Sequence, residues 1–307
     1  MNKETKKAII EALKAYAADK DLSQEQLAQT LKMNISYVNA MLRGEFIIGK
    51  TEIKDNHFKK AAKAIGYTFE PVYWELRETS EYLQITTELL DAKVSGRGKM
   101  LIGDTGCGKT YTTNDFLMNY PSHTYRITVS SLHKLKDIVN ELCELLGVDT
   151  TGSYVNRLKR ISNRLNVLKL NGAKLVIIID EAENLTIPAL KMMKALYDAL
   201  KGICPIVLIG TPQLERKLDT LNEKDIEGIP QFCRRVKAGK RSIKSSDKAK
   251  RFSPFLEQVE DEDLKTLLIT LADNYGELND YLEYALEEAD RMNVPLTEDL
   301  FRKLFDL

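Results

Sequence analysis

The stretch Lys99-Met-Leu-Ile-Gly-Asp-Thr-Gly-Cys-Gly-Lys-Thr110 decides the fold. It reads as a short apolar strand, a glycine-rich turn and a helix from about Tyr111. Gly103, Gly108, Lys109 and Thr110 fit the phosphate-loop pattern G-x-x-x-x-G-K-[ST], with a further glycine at Gly106. Glycines let the backbone wrap an anion with its N–H groups inward. The helix that follows turns its positive end toward that anion. Lys109 is then expected to reach the β- and γ-phosphates and the Thr110 hydroxyl to ligate magnesium. Asp104, Thr105, Cys107 and Tyr111 complete the expected nucleotide contacts. The competing reading is a glycine-rich turn without a ligand; the strand–loop–helix context argues against it.

Working outward, Val176-Ile-Ile-Ile-Asp-Glu-Ala-Glu-Asn184 supplies a partner for that loop. A continuous apolar run suits a strand covered on both faces. Carboxylates at its carboxyl end lie where ligands bind in open α/β sheets. Asp180 is expected to hold magnesium through water, and Glu181 to polarise the water that attacks the γ-phosphate. Thr124–Val129 and Ile206–Gly210 read as further strands. Helical spacing covers Glu78–Ala92, Leu132–Leu146, Val155–Lys169 and Pro188–Leu200. This alternation predicts an α/β fold with a parallel sheet and flanking helices. After Arg251 the pattern is purely helical, at Leu264–Asn274, Asn279–Met292 and Glu298–Phe305. The expected domains are therefore 1–68, a connector and leading helix at 69–95, a core at 96–251 and a helical lid at 252–307.

Residues 1–68 read as all-α. Ser23 and Gln26 form a capping-box pair ahead of Leu27, Ala28 and Leu31. Lys32-Met33-Asn34 makes a short turn, Asn34 caps a second helix facing Val38, Met41 and Leu42 inward, and Gly44 stops it. This pair resembles the helix-turn-helix of phage-repressor-type domains, whose second helix lies in the major groove. Its outward set would be Ile35, Ser36, Tyr37, Asn39 and Arg43, with Asn39 reading adenine and Ser36 and Arg43 touching phosphate. Docking on protein is the alternative. Phe69–Leu76 reads as an extended connector because of Pro71.

The net charge of zero hides an asymmetry: residues 252–307 carry 15 acidic and 4 basic side chains, leaving +11 on residues 1–251. A basic body suggests a polyanionic partner. The candidate phosphate contacts are Arg157, Lys159, Arg160 and Arg164 in one helix and the run Arg234–Arg251 with Lys237, Lys240 and Arg241. A solvated face is the plain alternative for each. No apolar run approaches the ~18 residues a membrane span needs. The start leads into an amphipathic pattern, so a cytoplasmic protein without a membrane partner is expected. The four cysteines show no metal-ligand spacing.

On these motifs the chain resembles the AAA+ ATPases. The resemblance implies that Thr211, at the end of the strand after the carboxylates, orients the water. It implies that Arg234 or Arg235 completes a neighbouring subunit's ATP site, and that Lys134 and Lys136, just beyond the Thr124–Val129 strand, lie in a loop that lines a central channel and are further candidate DNA contacts. In the helical lid Asn279 stands where the family often has an arginine. Two-lobed helicases share the Asp-Glu-Ala-Glu run but need a second α/β lobe, for which 56 helical residues are too few. A small kinase would not need the N-terminal helices. Together with Arg77-Glu-Thr79, Arg126-Ile-Thr-Val129 and Glu141–Gly147, this domain order is similar to the target-capture and helper ATPases of Mu-like phages and transposons. That resemblance implies ATP and Mg2+ as cofactors, double-stranded DNA and a transposase as partners, and homo-oligomers, ring or filament, on duplex DNA. An ATP-switched DNA-binding regulator is the other reading.

Overall fold

The computed structural model describes residues 1, 3–49, 51–67 and 73–307. The chain divides into two compact units, residues 1–76 with 282–295 and residues 77–281 with 296–307.

The first unit begins with α1 (Lys3–Asp19), α2 (Gln24–Leu31) and α3 (Ile35–Leu42). The sequence punctuates them as expected. Ser23 Oγ accepts from the Gln26 amide at 3.3 Å while the Gln26 side chain accepts from the Ser23 amide at 2.9 Å. Asn34 Oδ1 accepts from the Ser36 amide at 2.9 Å and starts α3. A small antiparallel hairpin follows, β1 (Ile47–Ile48) and β2 (Thr51–Glu52), then α4 (Asp55–Ala64). Two-residue strands are too short to show alternation, so the hairpin has no periodic signature. Ile9, Leu13, Leu27, Leu31, Val38, Met41, Ile53 and Phe58 pack as one core. Part of the acidic excess is used here: Lys59 donates to both carboxylate oxygens of Asp290 at 2.7 Å, and the Tyr73 hydroxyl donates to the same group at 3.0 Å. Of the expected connector Phe69–Leu76, residues 69–72 lie outside the described residues.

The second unit runs α5 (Ser80–Ser95), β3 (Lys99–Ile102), α6 (Lys109–Asn119), β4 (Thr124–Thr128), α7 (Leu135–Leu145), α8 (Tyr154–Leu170) and β5 (Val176–Asp180). It continues with α9 (Ile187–Leu200), β6 (Ile206–Gly210), α10 (Pro212–Glu223), α11 (Ile229–Lys237), β7 (Lys240–Ser242) and α12 (Lys248–Leu256). The last helices of the chain are α13 (Glu262–Leu271), α14 (Tyr275–Met292), whose residues from Leu282 on belong to the first unit, and α15 (Glu298–Phe305). The five strands form one parallel sheet in the order β4-β5-β6-β3-β7. Alternate residues serve opposite faces. Met100, Ile102, Ile177, Ile179 and Leu208 pack with Leu142, Ile161, Leu190 and Phe232 from α7, α8, α9 and α11. Leu101, Ile178, Val207 and Ile209 pack with Ile85, Leu89 and Phe116 from α5 and α6. Both faces are covered, which is why the inner strands β5 and β6 read as near-continuous apolar runs, whereas the edge strands β4 and β7 carry polar side chains. Among the described residues no helix is long and apolar enough to cross a membrane.

Three readings change. Helix α6 begins at Lys109, two residues early, because Gly108 takes the cap position. Helix α7 begins at Leu135, and Leu132 is 85% exposed in the loop before it. The basic run after Arg234, in which no strand is expected from the sequence, holds the end of α11, the edge strand β7 and α12.

Candidate nucleotide site

The phosphate loop leaves the carboxyl end of β3 and closes at α6. Its glycines are required by space. A Cβ on Gly103 would lie 2.8 Å from Cys107 Sγ, and one on Gly106, whose φ is +70°, would lie 2.4 Å from Asn274. The Lys109 ammonium donates to the carbonyls of Gly103 and Asp104 at 2.9 and 2.6 Å. The Cys107 side chain is buried, and burial pushes its thiol up, so it fills space and is no nucleophile. Asp104, Thr105, Thr110 and Tyr111 are exposed on the loop and the first turn of α6, and Gly106 and Gly108 are half-buried.

Asp180 ends β5 and is 1% exposed. Its Oδ1 accepts from the Glu181 amide at 3.0 Å, and its Oδ2 accepts from Arg126 Nη2 at 2.9 Å and Thr113 Oγ1 at 3.3 Å. Thr113 Oγ1 also lies 2.9 Å from the Thr110 carbonyl, so one hydroxyl ties the loop's helix to the carboxylate strand. Glu181 is exposed and sits at φ +53°, a left-handed conformation that costs a non-glycine residue about 1–3 kcal/mol. Asn184 Nδ2 donates to Glu181 Oε2 at 3.2 Å and to the Val129 carbonyl at 2.8 Å. Such strain persists where the surroundings enforce it, and here Asn184 holds the Glu181 side chain to the end of β4. The Thr211 hydroxyl accepts from the Gln213 amide at 3.3 Å as the cap of α10, and its amide donates to Glu183 Oε2 at 3.3 Å. Thr211 is thus fixed at the end of β6, between β5 and β3.

Magnesium prefers oxygen ligands and keeps several waters. The Thr110 hydroxyl and the Asp180 carboxylate offer that chemistry. Among the described residues no cluster of three or more His, Cys, Asp or Glu side chains forms a metal cage, as suits an ion held largely by water and phosphate.

The arginines Arg234 and Arg235 sit on the last turn of α11. They line a cavity of about 480 Å³ with Gly98, Asp198 and Ile206, at the amino ends of β3 and β6. Strand β3 puts about 13 Å of sheet between that end and the phosphate loop. Neither arginine serves its own subunit's loop. Arg235 pairs with Asp198 at 2.6 Å and donates to the Gln231 carbonyl, whereas Arg234 is exposed.

The expected DNA contacts divide. Lys134, Lys136, Lys159, Arg164, Lys237 and Arg241 are exposed. Arg157 is a correction: it is 7% exposed, donates to the Gly152 carbonyl at 3.0 and 3.2 Å and to Asn140 Oδ1 at 2.6 Å, and stacks on Tyr154. It braces the start of α8. Arg160 is held by the Thr151 carbonyl and Asp149, and Lys240 by Glu215. In α3, Ser36 is exposed, but Asn39 is half-buried with its Oδ1 shielded from solvent, and Tyr37 stacks on His57 at 4.1 Å. Arg43 is clamped by Glu45 at 2.8 and 2.9 Å. The outward set of α3 is smaller than the helical wheel suggests. Sequence reading also missed Arg126 as a site residue; its signal was a lone cation inside a β-rich run.

We expect Lys109→Ala to weaken ATP binding by about two orders of magnitude, since it removes charge-assisted hydrogen bonds of roughly 1.5–3 kcal/mol each. A fluorescent-nucleotide titration checks this, and unchanged affinity would remove the loop from the site.

Residues 96–218 match the AAA domain family. Over 215 residues, 68% of this chain and 71% of the relative, the sequence is 26% identical to the Mu-like prophage FluMu DNA transposition protein B of Haemophilus influenzae. The fold is similar to that of the Aeropyrum pernix ORC2 protein, with a TM-score of 0.53 and 18% identity over 76% of this chain and 68% of that one. It is also similar to Cdc6p of Pyrobaculum aerophilum, with a TM-score of 0.53 and 16% identity over 74% of this chain and 66% of that one. The phosphate loop and the carboxylate strand both lie within the matched residues 96–218, so the chain carries a segment that matches the AAA domain family and is similar in sequence to transposition protein B of a Mu-like prophage.

Proposed function

We propose that the protein is an ATP-dependent DNA-binding ATPase that assembles on duplex DNA with little sequence preference, delivers it as target and activates a transposase. The observation that supports the ATPase reading is the Thr113 contact, which joins the helix after the phosphate loop to Asp180 at the end of the carboxylate strand. Lys109 and the loop amides hold the phosphates, Thr110 and Asp180 hold Mg2+, Glu181 activates water and Thr211 orients it. Magnesium supplies charge neutralisation at the transferring phosphoryl group. Arg234 or Arg235 completes the site of a neighbouring copy. The sequence relation to a transposition protein supports the role on DNA. In this reading residues 1–68 are a helix-turn-helix module, 96–251 the ATPase core and 252–307 the lid.

The exposed cations Lys159, Arg164 and Lys237 suit phosphate contacts, which give affinity without sequence choice. Lys159→Ala with Arg164→Ala is expected to lower duplex affinity equally on all sequences and to reduce the salt slope by about two. Electron microscopy with ATP and random-sequence duplex tests assembly directly. Ordered polymers that need ATP support the proposal; a discrete footprint formed without ATP would favour the ATP-switched regulator instead. The inward Asn39 and clamped Arg43 of α3 weigh against that regulator.

A further inference from the structure

Arg126 lies on β4, paired in register with Ile178, and its side chain is 10% exposed. A cation inside a sheet carries a desolvation cost unless it is paired. Its guanidinium is split between two elements: Nη2 donates to Asp180 Oδ2 at 2.9 Å, and Nη1 donates to Asn114 Oδ1 on the outer side of α6. Nε is buried and has no acceptor. The fork therefore gives one arm to a carboxylate and one to a neutral amide, where a second carboxylate oxygen would satisfy it better. Bracing the fold does not explain that choice, because Thr113 already joins α6 to Asp180.

Asp180 offers about four lone-pair positions. Arg126 and the Glu181 amide take two, and the Thr113 hydroxyl, whose single proton is shared with the nearer Thr110 carbonyl, crowds a third at 3.3 Å. What remains is little room on a carboxylate whose charge is already balanced. We propose that Arg126 is a positioning residue that shares Asp180 with the divalent cation, and so weakens the hold of the nucleotide site on that cation. The proposal rests on the nucleotide-site reading above. A shared carboxylate lets the metal–nucleotide product leave; an unshared one would retain it. Asn114 sets the degree of sharing by drawing the other arm of the guanidinium away from Asp180.

The test is divalent-ion affinity. Mn2+ is titrated into the full-length protein with ADP and followed by electron paramagnetic resonance. Metal-free ADP affinity is measured in parallel in EDTA. Arg126→Gln is expected to tighten Mn2+ by about tenfold, the scale of one neighbouring charge acting on a carboxylate. Thr113 and the Glu181 amide still orient Asp180 in that variant. Arg126→Lys, which keeps the charge, is expected to stay close to the unmodified protein. Asn114→Leu frees the second arm to close on Asp180 and is expected to weaken Mn2+ a few-fold, a shift of opposite sign. A structural role alone would move both variants the same way. Unchanged or weaker Mn2+ binding in Arg126→Gln overturns the proposal. If that variant does not fold, Asn114→Leu decides, because position 114 is exposed, and unchanged Mn2+ affinity there overturns it. Failure of the unmodified protein to bind ADP would instead overturn the nucleotide-site reading.

Discussion

Glu181→Gln is expected to bind ATP with nearly unchanged affinity and to turn it over at least about a hundredfold more slowly, the usual weight of a general base. The amide matches the carboxylate in size and can keep a contact to Asn184, so the left-handed turn at the end of β5 survives. What is lost is basicity toward the attacking water. Interactions made only in the transition state lower turnover without changing ground-state binding. If ATP drives assembly, complexes of this variant with duplex DNA should persist after hydrolysis would have dissolved the normal ones. Phosphate release and a nucleotide titration on the same preparation check both halves. A normal turnover rate would show that another group activates the water, and Glu183, which instead accepts from the Thr211 amide, is poorly placed to be that group.

The second large effect concerns assembly. Arg234 and Arg235 sit at the amino end of β3 while the phosphate loop sits at its carboxyl end. If one of these two stabilises charge on the transferring phosphoryl group, it acts on the site of another copy, a contribution of about 10³-fold or more where it has been dissected. Specific ATPase activity should rise with protein concentration and with added duplex, which gathers subunits on one polymer. Arg234→Ala should lower hydrolysis while leaving ATP affinity largely intact. Arg234 is the stronger candidate on geometry, since Arg235 is already engaged by Asp198 and the Gln231 carbonyl. Mixing Arg234→Ala with Glu181→Gln should recover activity at interfaces that join the intact arginine of one to the intact glutamate of the other. If these arginines only touch DNA phosphates, their loss would weaken DNA binding in a salt-dependent way and no mixture would recover hydrolysis. Turnover independent of protein concentration would rule out a shared site.

The sequence by itself determined the sheet and the two ends of the nucleotide site. Ile177, Ile178 and Ile179 are apolar in succession because both faces of β5 are covered, and that signature survives in one dimension. Gly103 lies against Cys107 and Gly106 takes a positive φ, both local constraints, so the loop too was legible, although the Asn274 side chain that also crowds Gly106 was not. Capping is equally local: Ser23, Gln26 and Asn34 act on amides two or three residues away. Only the tertiary structure decided which charges are available. Arg157 and Lys159 look alike in the chain, yet one side chain turns under α8 to the Gly152 carbonyl and the other faces solvent, because two helical positions separate opposite sides of the helix. The link from Arg126 to Asp180 joins residues on neighbouring strands that the sequence separates by a helical layer, and nothing short of the β4–β5 register could have placed them together.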